Sequence, residues 1–301
     1  MAISRGQLVK ELEPGLNALF GLEYKRDENQ HAEIFDTESS ERAFEEEVML
    51  SGFANAAVKP EGSGVTFDNA QETFTARYTH ETIALAFAIT EEAIEDNLYD
   101  RIASRYTKAL ARSMANTKQV KAANVLNNGF DTNYPGGDGS PLFATNHPTI
   151  AGSFSNTLAT QADLNETSLE QAIIDIAALT DERGLKIAAR PTKAIVPPEL
   201  QFTAERLMKS EGRTGTANND INAIKSMGMV PQGYTVNNFL TDPDAWFLRT
   251  DVPNGMKMFL RAPIKTSMEG DFDTGNVRYK ARERYSFGWS DPRGIFGSSG
   301  A

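Results

Sequence analysis

Two Asp-x-Asp pairs are the residues of this 301-residue chain whose type and spacing could do chemistry: Asp242 and Asp244 in TDPDAW, and Asp271 and Asp273 in DFDTGN. Paired carboxylates can hold a hard cation such as Mg²⁺ and, through it, activate water against a phosphoester. Both pairs sit in turn-like sequence between expected strands, where Asp accepts from the backbone two residues on. The turn role is the stronger reading and a carboxylate-metal phosphoesterase the weaker. The three histidines, His31, His80 and His147, lie far apart in sequence without metal-ligand spacing. His147 precedes Pro148 and reads as a turn residue. There is no cysteine, so no thiolate nucleophile and no disulfide. No GxSxG, HExxH or GxGxxG is present, and the GGDG run at 136–139 lacks the flanking strand and Gly-Lys-Ser/Thr of a phosphate cradle. The expectation is a protein that is not an enzyme, with no catalytic residue, no metal and no cofactor.

Charge is arranged for contact instead. In VRYKARERYSFGW (277–289), Val277, Tyr279, Ala281, Glu283, Tyr285, Phe287 and Trp289 alternate with Arg278, Lys280, Arg282 and Arg284, then Ser286 and Gly288. Period 2 puts these sets on opposite faces of a strand, roughly 43 Å long at ~3.3 Å per residue. The basic face could grip nucleic acid, but its aromatics point the other way and no basic segment flanks it. Contact with an acidic protein surface is favoured. Residues 1–50 supply such a surface, with twelve acids against five bases; residues 256–301 hold eight bases against five acids. The ribbon is therefore expected to meet acids such as Glu28, Glu33, Asp36 and Glu38, from its own or a neighbouring chain. The net charge of −11 makes the whole molecule a poor general DNA binder. No apolar stretch is long enough to cross a bilayer; the best, TIALAFAIT (82–90), has nine residues.

Stepping outward from these residues, the chain has a clear order of elements. Residues 1–44 read as an extended acidic arm with short helical pieces, broken at Pro14 and Gly15. Residues 45–80 read as a long hairpin with KPEGSG (59–64) at its tip. Ile83, Leu85, Phe87 and Ile89 then share one face of a better-buried strand. From Thr90 the period changes to a helix over 91–128, with Ile94, Leu98, Ile102, Tyr106, Leu110 and Met114 as its stripe and Gly129 as its stop. Residues 129–163 read as loop. An α/β block follows, with a helix bearing Leu169, Ile173, Ile176 and Leu179, a C-cap at Gly184, a buried strand at 192–198, a helix at 198–210 opened by proline, and strands in YTVNNFL and AWFLRTD. Long strands close the chain.

This layout resembles that of tailed-phage major capsid proteins with the Hong Kong 97 fold. The more specific resemblance is to Mu-type major head proteins. It runs through LTDERGLKIAARPTKAIVPPELQFTAERLMKS (179–210), NNDINAIKS (218–226), FLTDPDAWFLRTD (239–251), GMKMFLRAP (255–263) and RYKARERYSFGWSDPRGIFGSSGA (278–301). Upstream, PLFATNHP (141–148) looks familial and the rest matches by layout. The resemblance implies an α+β chain with an N-terminal arm (1–44), an E-loop hairpin (45–82), a peripheral P domain (83–135 and 256–301) holding the spine helix, and an axial A domain (136–255). It implies a structural role: hexamers and pentamers of one subunit forming the icosahedral head of a virion, assembled in the host bacterial cytoplasm. Implied partners are further copies of the chain, a separate scaffolding protein because only a short arm precedes the hairpin, a portal, and double-stranded DNA held by weak non-specific contact. The inter-subunit contact candidates are Lys59, Pro60, Glu61 and Gly62 at the hairpin tip and Arg278, Lys280, Arg282 and Arg284 on the ribbon. Some relatives cross-link an E-loop lysine to a neighbour's asparagine; Lys59 lies in the hairpin, but the sequence identifies neither a partner nor a catalytic acid for it. A cellular nanocompartment shell of the same fold is the alternative.

Overall fold

The computed structural model describes residues 5–26, 29–90, 92, 99–213, 220–271 and 275–301. The ribbon is strand β11 (Val277–Trp289), thirteen residues long, paired antiparallel with the fifteen-residue β10 (Met256–Gly270). Short β1 (Asp36–Ser39) runs parallel to β10 on one side, and β4 (Glu81–Ile89) runs antiparallel to β11 on the other, giving the order β1-β10-β11-β4. The expected alternation holds from Val277 to Tyr285 and stops at Ser286, which is buried as well. Val277, Tyr279, Ala281, Glu283 and Tyr285 are buried, while Arg278, Lys280 and Arg282 are exposed. Strand β4 is less buried than its sequence suggests. It lies at the sheet edge, and Leu85 is 45% exposed.

The buried face of this sheet is covered by two helices. Helix α2 spans Tyr99–Asn127, a rod of roughly 43 Å at 1.5 Å per residue. The expected start of that helix, with Ile94 and Leu98, lies outside the described residues. Its stripe differs from expectation: Tyr106 is 53% exposed, and Ala103, Thr107, Leu110, Ala111, Met114, Ala122, Ala123 and Leu126 are buried. Residues spaced strictly by four drift about 40° per step around a 3.6-residue helix, so they leave the buried face within a few turns. Alanine on the inner face also lets the helix axis sit close to the sheet.

Helix α1 (Arg5–Tyr24) corrects the expected extended arm, because it continues through Pro14 and Gly15. A proline inside a helix costs ~3 kcal/mol. Leu16 and Phe20, one turn apart, offset it by packing with Leu110, Ala111, Met114, Tyr279 and Ala281, each such burial contributing about 1.5–3 kcal/mol. Tertiary packing here overrides the local signal.

Strands β2 (Phe44–Leu50) and β3 (Glu72–Thr79) form an antiparallel hairpin, registered from Phe44–Thr79 to Leu50–Glu72. Its connection is longer than the expected tip. Residues 51–71 form no strand, although the sequence alternates from Val65. Between 129 and 163, read as loop, β5 (His147–Thr149) and β6 (Gly152–Phe154) make a second small hairpin. Gly137 in this region lies so close to the hairpin that a Cβ would stand 2.5 Å from the Thr75 carbonyl oxygen.

The second sheet has the order β12-β9-β7-β8, from β7 (Pro191–Val196), β8 (Tyr234–Val236), β9 (Trp246–Thr250) and β12 (Ile295–Ser298). Helices α3 (Glu166–Ala177) and α4 (Gln201–Lys209) pack on it around Leu169, Ile173, Ile176, Leu207, Trp246, Leu248 and Phe296. A reciprocal cap opens α3: the Ser168 N–H donates to Asn165 Oδ1 and the Asn165 N–H donates to Ser168 Oγ. The expected C-cap at Gly184 is instead a turn glycine at φ +81°, beyond the end of α3 at Ala177. A short helix, α5 (Ala223–Ser226), follows α4. Strand β12 belongs to this sheet, which corrects the grouping of all of 256–301 with the spine helix. The crossing between the two sheets is made at Gly255 and Gly294, where a Cβ on Gly294 would stand 2.3 Å from the Gly255 Cα.

Met114 is 1% exposed between α1 and the sheet. Replacing it with alanine should lower unfolding free energy by about 2–5 kcal/mol, read as an earlier urea midpoint with an unchanged slope.

Candidate inter-subunit surfaces

The described members of the two carboxylate pairs lie in turns. The Asp244 N–H donates to Asp242 Oδ1 at 3.1 Å. Asp271 closes the β10–β11 turn through backbone bonds with Asn276 and Gly275 and receives Arg278 at 2.5 Å; Asp273 lies outside the described residues. Among the described residues, no group of three or more His, Cys, Asp or Glu could hold a metal ion.

The histidines are buried polar joints. His147 is not a loose turn residue. Its Nδ1 lies 2.6 Å from Asp138 Oδ2 and its Nε2 3.1 Å from Asn156 Oδ1, with its ring stacked on Phe154. Asn156 in turn donates to the carbonyls of Leu142, Pro292 and Ile295, tying the small hairpin to the closing strand. His80 spans Ser40 Oγ at 2.8 Å and Ser286 Oγ at 3.0 Å at the hairpin's root, and burial lowers its pKa. His31 packs on Phe287; burial first, then the Lys118 charge, push its pKa down to about 4 despite the Gln119 bond.

Two buried ion clusters were not read from the sequence. Glu283, fully buried in the apolar row of β11, accepts from Lys118 Nζ at 3.0 Å and from the Tyr24 hydroxyl at 3.0 Å. These bonds join α1, α2 and β11. Arg293, also buried, donates to Glu182 at 2.6 Å and lies over the Phe154 ring. A lone acid on an otherwise apolar strand face was the available signal for the first, since a buried charge requires a partner.

The exposed surfaces are of two kinds. The first is the hairpin connection. Lys59, Pro60, Glu61 and Gly62 are exposed on a turn closed by the Ser63 N–H and the Pro60 carbonyl, with Gly62 at φ +82°. Around them stand Phe53, Val58, Val65 and Phe67, of which Val58 and Phe67 are each 94% exposed. The loop is held at its neck by Ser51 and Gln71 and by Asp68 accepting from the Ala54 N–H. The hairpin base is fixed more firmly. Lys257 pairs with Glu47 and Glu38, and the Tyr78 hydroxyl meets Ser290 Oγ at 2.6 Å.

The second surface is the basic face of β11. Lys280 and Arg282 are exposed and join no ion pair among the described residues, whereas Arg278 pairs with Asp271 and Arg284 is half-buried. The acids expected to meet this face from the same chain are engaged elsewhere. Glu33 pairs with Lys193, Asp36 with Arg249 through both oxygens at 2.7 Å, and Glu38 with Lys257; Glu28 lies outside the described residues. Strand β1 sits at the far edge beside β10, which is why these acids reach other cations.

An elongated sheet backed by a rod helix, a projecting hairpin and a second α/β layer are the architecture of a Hong Kong 97-type capsid subunit. The model of the phage capsid protein family matches residues 72–297, and the chain belongs to that family. No curated protein matches it. Among solved structures it is similar to the capsid of an empty GTA particle computed with C5 symmetry, at 16% identity over 92% of this chain and 91% of that one, with a TM-score of 0.59. It is similar to the capsid of the cyanophage P-SCSP1u at 12% identity, 89% and 86% coverage and a TM-score of 0.57. It is also similar to the virus-like particle from Pyrococcus furiosus at 10% identity, 94% and 97% coverage and a TM-score of 0.52. At these identities the likeness is one of fold.

Two measurements check the buried joints. Lys118→Met should cost about 3–5 kcal/mol, because it strands the Glu283 charge, and adding Glu283→Gln should recover much of that loss. The neutral native state of His31 also has a pH signature. Its folded pKa lies below the unfolded value, so the unfolded chain binds the extra proton as pH falls. Stability should therefore drop from about pH 6.5 down towards pH 4. Urea unfolding at pH 7 and pH 5.5 should show the drop, and His31→Gln should reduce it.

Proposed function

We propose that this capsid protein is the major subunit of an icosahedral phage head, self-assembling as hexamers and pentamers around double-stranded DNA. The observation that carries the reading is the hairpin connection. A loop that leaves Phe53, Val58, Val65 and Phe67 in solvent is stable and soluble only where another surface covers it. In this reading 45–82 is the E-loop lying on the next subunit. The sheet with its spine helix (83–135 and 256–294) is the peripheral domain, residues 136–255 with β12 are the axial domain, and 1–44 is the arm. Lys59, Pro60, Glu61, Gly62, Lys280 and Arg282 face other copies. The role is structural rather than catalytic. A separate scaffolding protein and a portal complete the head in the host cytoplasm, and the packaged DNA is held by weak contact.

A second reading, a nanocompartment shell, is compatible with the shared fold of the virus-like particle from Pyrococcus furiosus. Electron microscopy of the purified chain separates the readings: closed shells support both, and packaged DNA rather than protein cargo supports the phage head. Subunits that stay monomeric with or without co-expressed scaffold would sink both.

In free subunits, protease should cut residues 51–71 readily, and in shells the same bonds should be cut at least about tenfold more slowly. Exposed ion pairs contribute only about 0.2–1 kcal/mol each, so Lys280→Glu alone should be mild. Lys280→Glu with Arg282→Glu should raise the concentration needed for assembly, most at low salt, as read by light scattering.

A further inference from the structure

The four-stranded sheet has a long open edge at β4. This strand pairs with β11 in unbroken register from Glu81–Tyr285 to Ile89–Val277 and, among the described residues, with nothing on its other side. It contains no proline, and its one charged residue, Glu81, stands at its start. Among the described residues, the backbone groups of 82–88 bond to β11 and to no other segment. Soluble proteins usually blunt such an edge with charge, proline, a bulge or brevity. The opposite edge of the same sheet does so: β1 is four residues long and carries Asp36 and Glu38, both ion-paired, and the side of β10 left free beyond Leu260 carries Pro263, Lys265, Glu269 and two register shifts. The edge strands of the second sheet, β12 and β8, have four and three residues. Only β4 among these keeps a long edge free of proline, bulge and mid-strand charge.

The two faces of β4 specify the chemistry of the strand that would fit beside it. On the buried side Leu85 stays 45% exposed and Phe87 half-buried, so an added strand should bring apolar side chains there. On the other side Ala84, Ala86 and Ala88 are exposed, and their register partners on β11 are Arg282, Lys280 and Arg278. Lys265 of β10 stands next to Arg282 on the same face. Lys280, Arg282 and Lys265 join no ion pair among the described residues. Alanine ends at Cβ, so these long side chains can reach over it to an acid on a strand about 10 Å from β11, two strand spacings away.

Residues 65–70, VTFDNA, have that pattern. Val65 and Phe67 alternate with Thr66 and Asp68, and Val65, Thr66 and Phe67 are strand-favouring types. It nevertheless forms no strand in the single subunit, and both apolar side chains stand in solvent. A β pattern without a ladder and a ladder edge without a strand are complementary defects. We infer that residues 65–70 of a second copy add to the edge of β4, with Val65 and Phe67 beside Leu85 and Phe87 and with Asp68 facing Lys280 and Arg282. Asp68 exchanges its exposed contacts with the Ala54 N–H and with Arg183, 3.7 Å away, for that site. The inference rests on the reading of the chain as a shell subunit and adds the mode of contact, main-chain pairing, to it.

The test uses the cysteine-free background. Thr66→Cys subunits are co-assembled in turn with Ala84→Cys, Ala86→Cys or Ala88→Cys subunits, all on the alanine side of the proposed pair. One of the three mixtures should give disulfide-linked dimers after oxidation of particles, at least about tenfold above the same mixture left unassembled. In parallel, hydrogen exchange on the wild-type chain should show the amides of 65–70 and of alternate positions in 82–88 slowed at least about 100-fold on assembly. Particles that form normally while 82–88 exchange as fast as in free subunits would overturn the edge pairing and leave the shell reading intact. A wild-type chain that forms no particle overturns both.

Discussion

One apolar strand face roughly 43 Å long has to be kept from water along its whole length, and most of the molecule follows from that requirement. Strand β11 sets the demand with Val277, Tyr279, Ala281 and Tyr285. A compact helix could cover only part of it; a 29-residue helix covers it, and α1 fills the groove between helix and sheet. Glu283 interrupts the apolar row and converts cover into register. Its partners Lys118 and Tyr24 must both be in place, so the helices can neither slide along the strand nor exchange positions without stranding a charge.

The same economy of position appears where the hairpin leaves the body. Its root is held by groups that are satisfied in one geometry only: His80 between two serines, Lys257 between two glutamates, and Tyr78 against Ser290. Beyond Leu50 and Glu72 the ladder stops, and the side chains outside it are apolar and exposed. The transition from a fixed root to an unsatisfied tip marks where the subunit ends as a folded unit and its contacts with others begin.

The legibility of this fold in sequence depended on whether a residue's neighbours in space were also neighbours in pattern. The alternation of 277–289 survived as far as Tyr285, as did the stripe of Leu169, Ile173 and Ile176, because each encodes its own burial by period. Helix α1 was not legible: Pro14 and Gly15 argue locally for a break, and the packing that overrides them comes from residues such as Leu110 and Tyr279, far along the chain. Tyr106 was misplaced because a four-residue spacing was taken as a face, although the helix turns past it. At the candidate surfaces, the exposed turn at Lys59–Gly62 was readable from Pro and Gly. The unpaired state of Val65 and Phe67 was not, since a strand pattern says nothing about whether a partner strand is within reach. The arm's acids meet Lys193, Arg249 and Lys257 rather than the ribbon, because the topology that delivers them is long-range.

The crossing of Gly255 and Gly294 has a mechanical meaning. Where side chains separate two strands, load is absorbed by rotamer changes and by the give of methyl groups. Here backbone lies directly on backbone, and no side chain stands between them to yield. A force applied to β10, as from a neighbour pulling on the sheet, passes through this point into β12 and the second sheet with little local compliance.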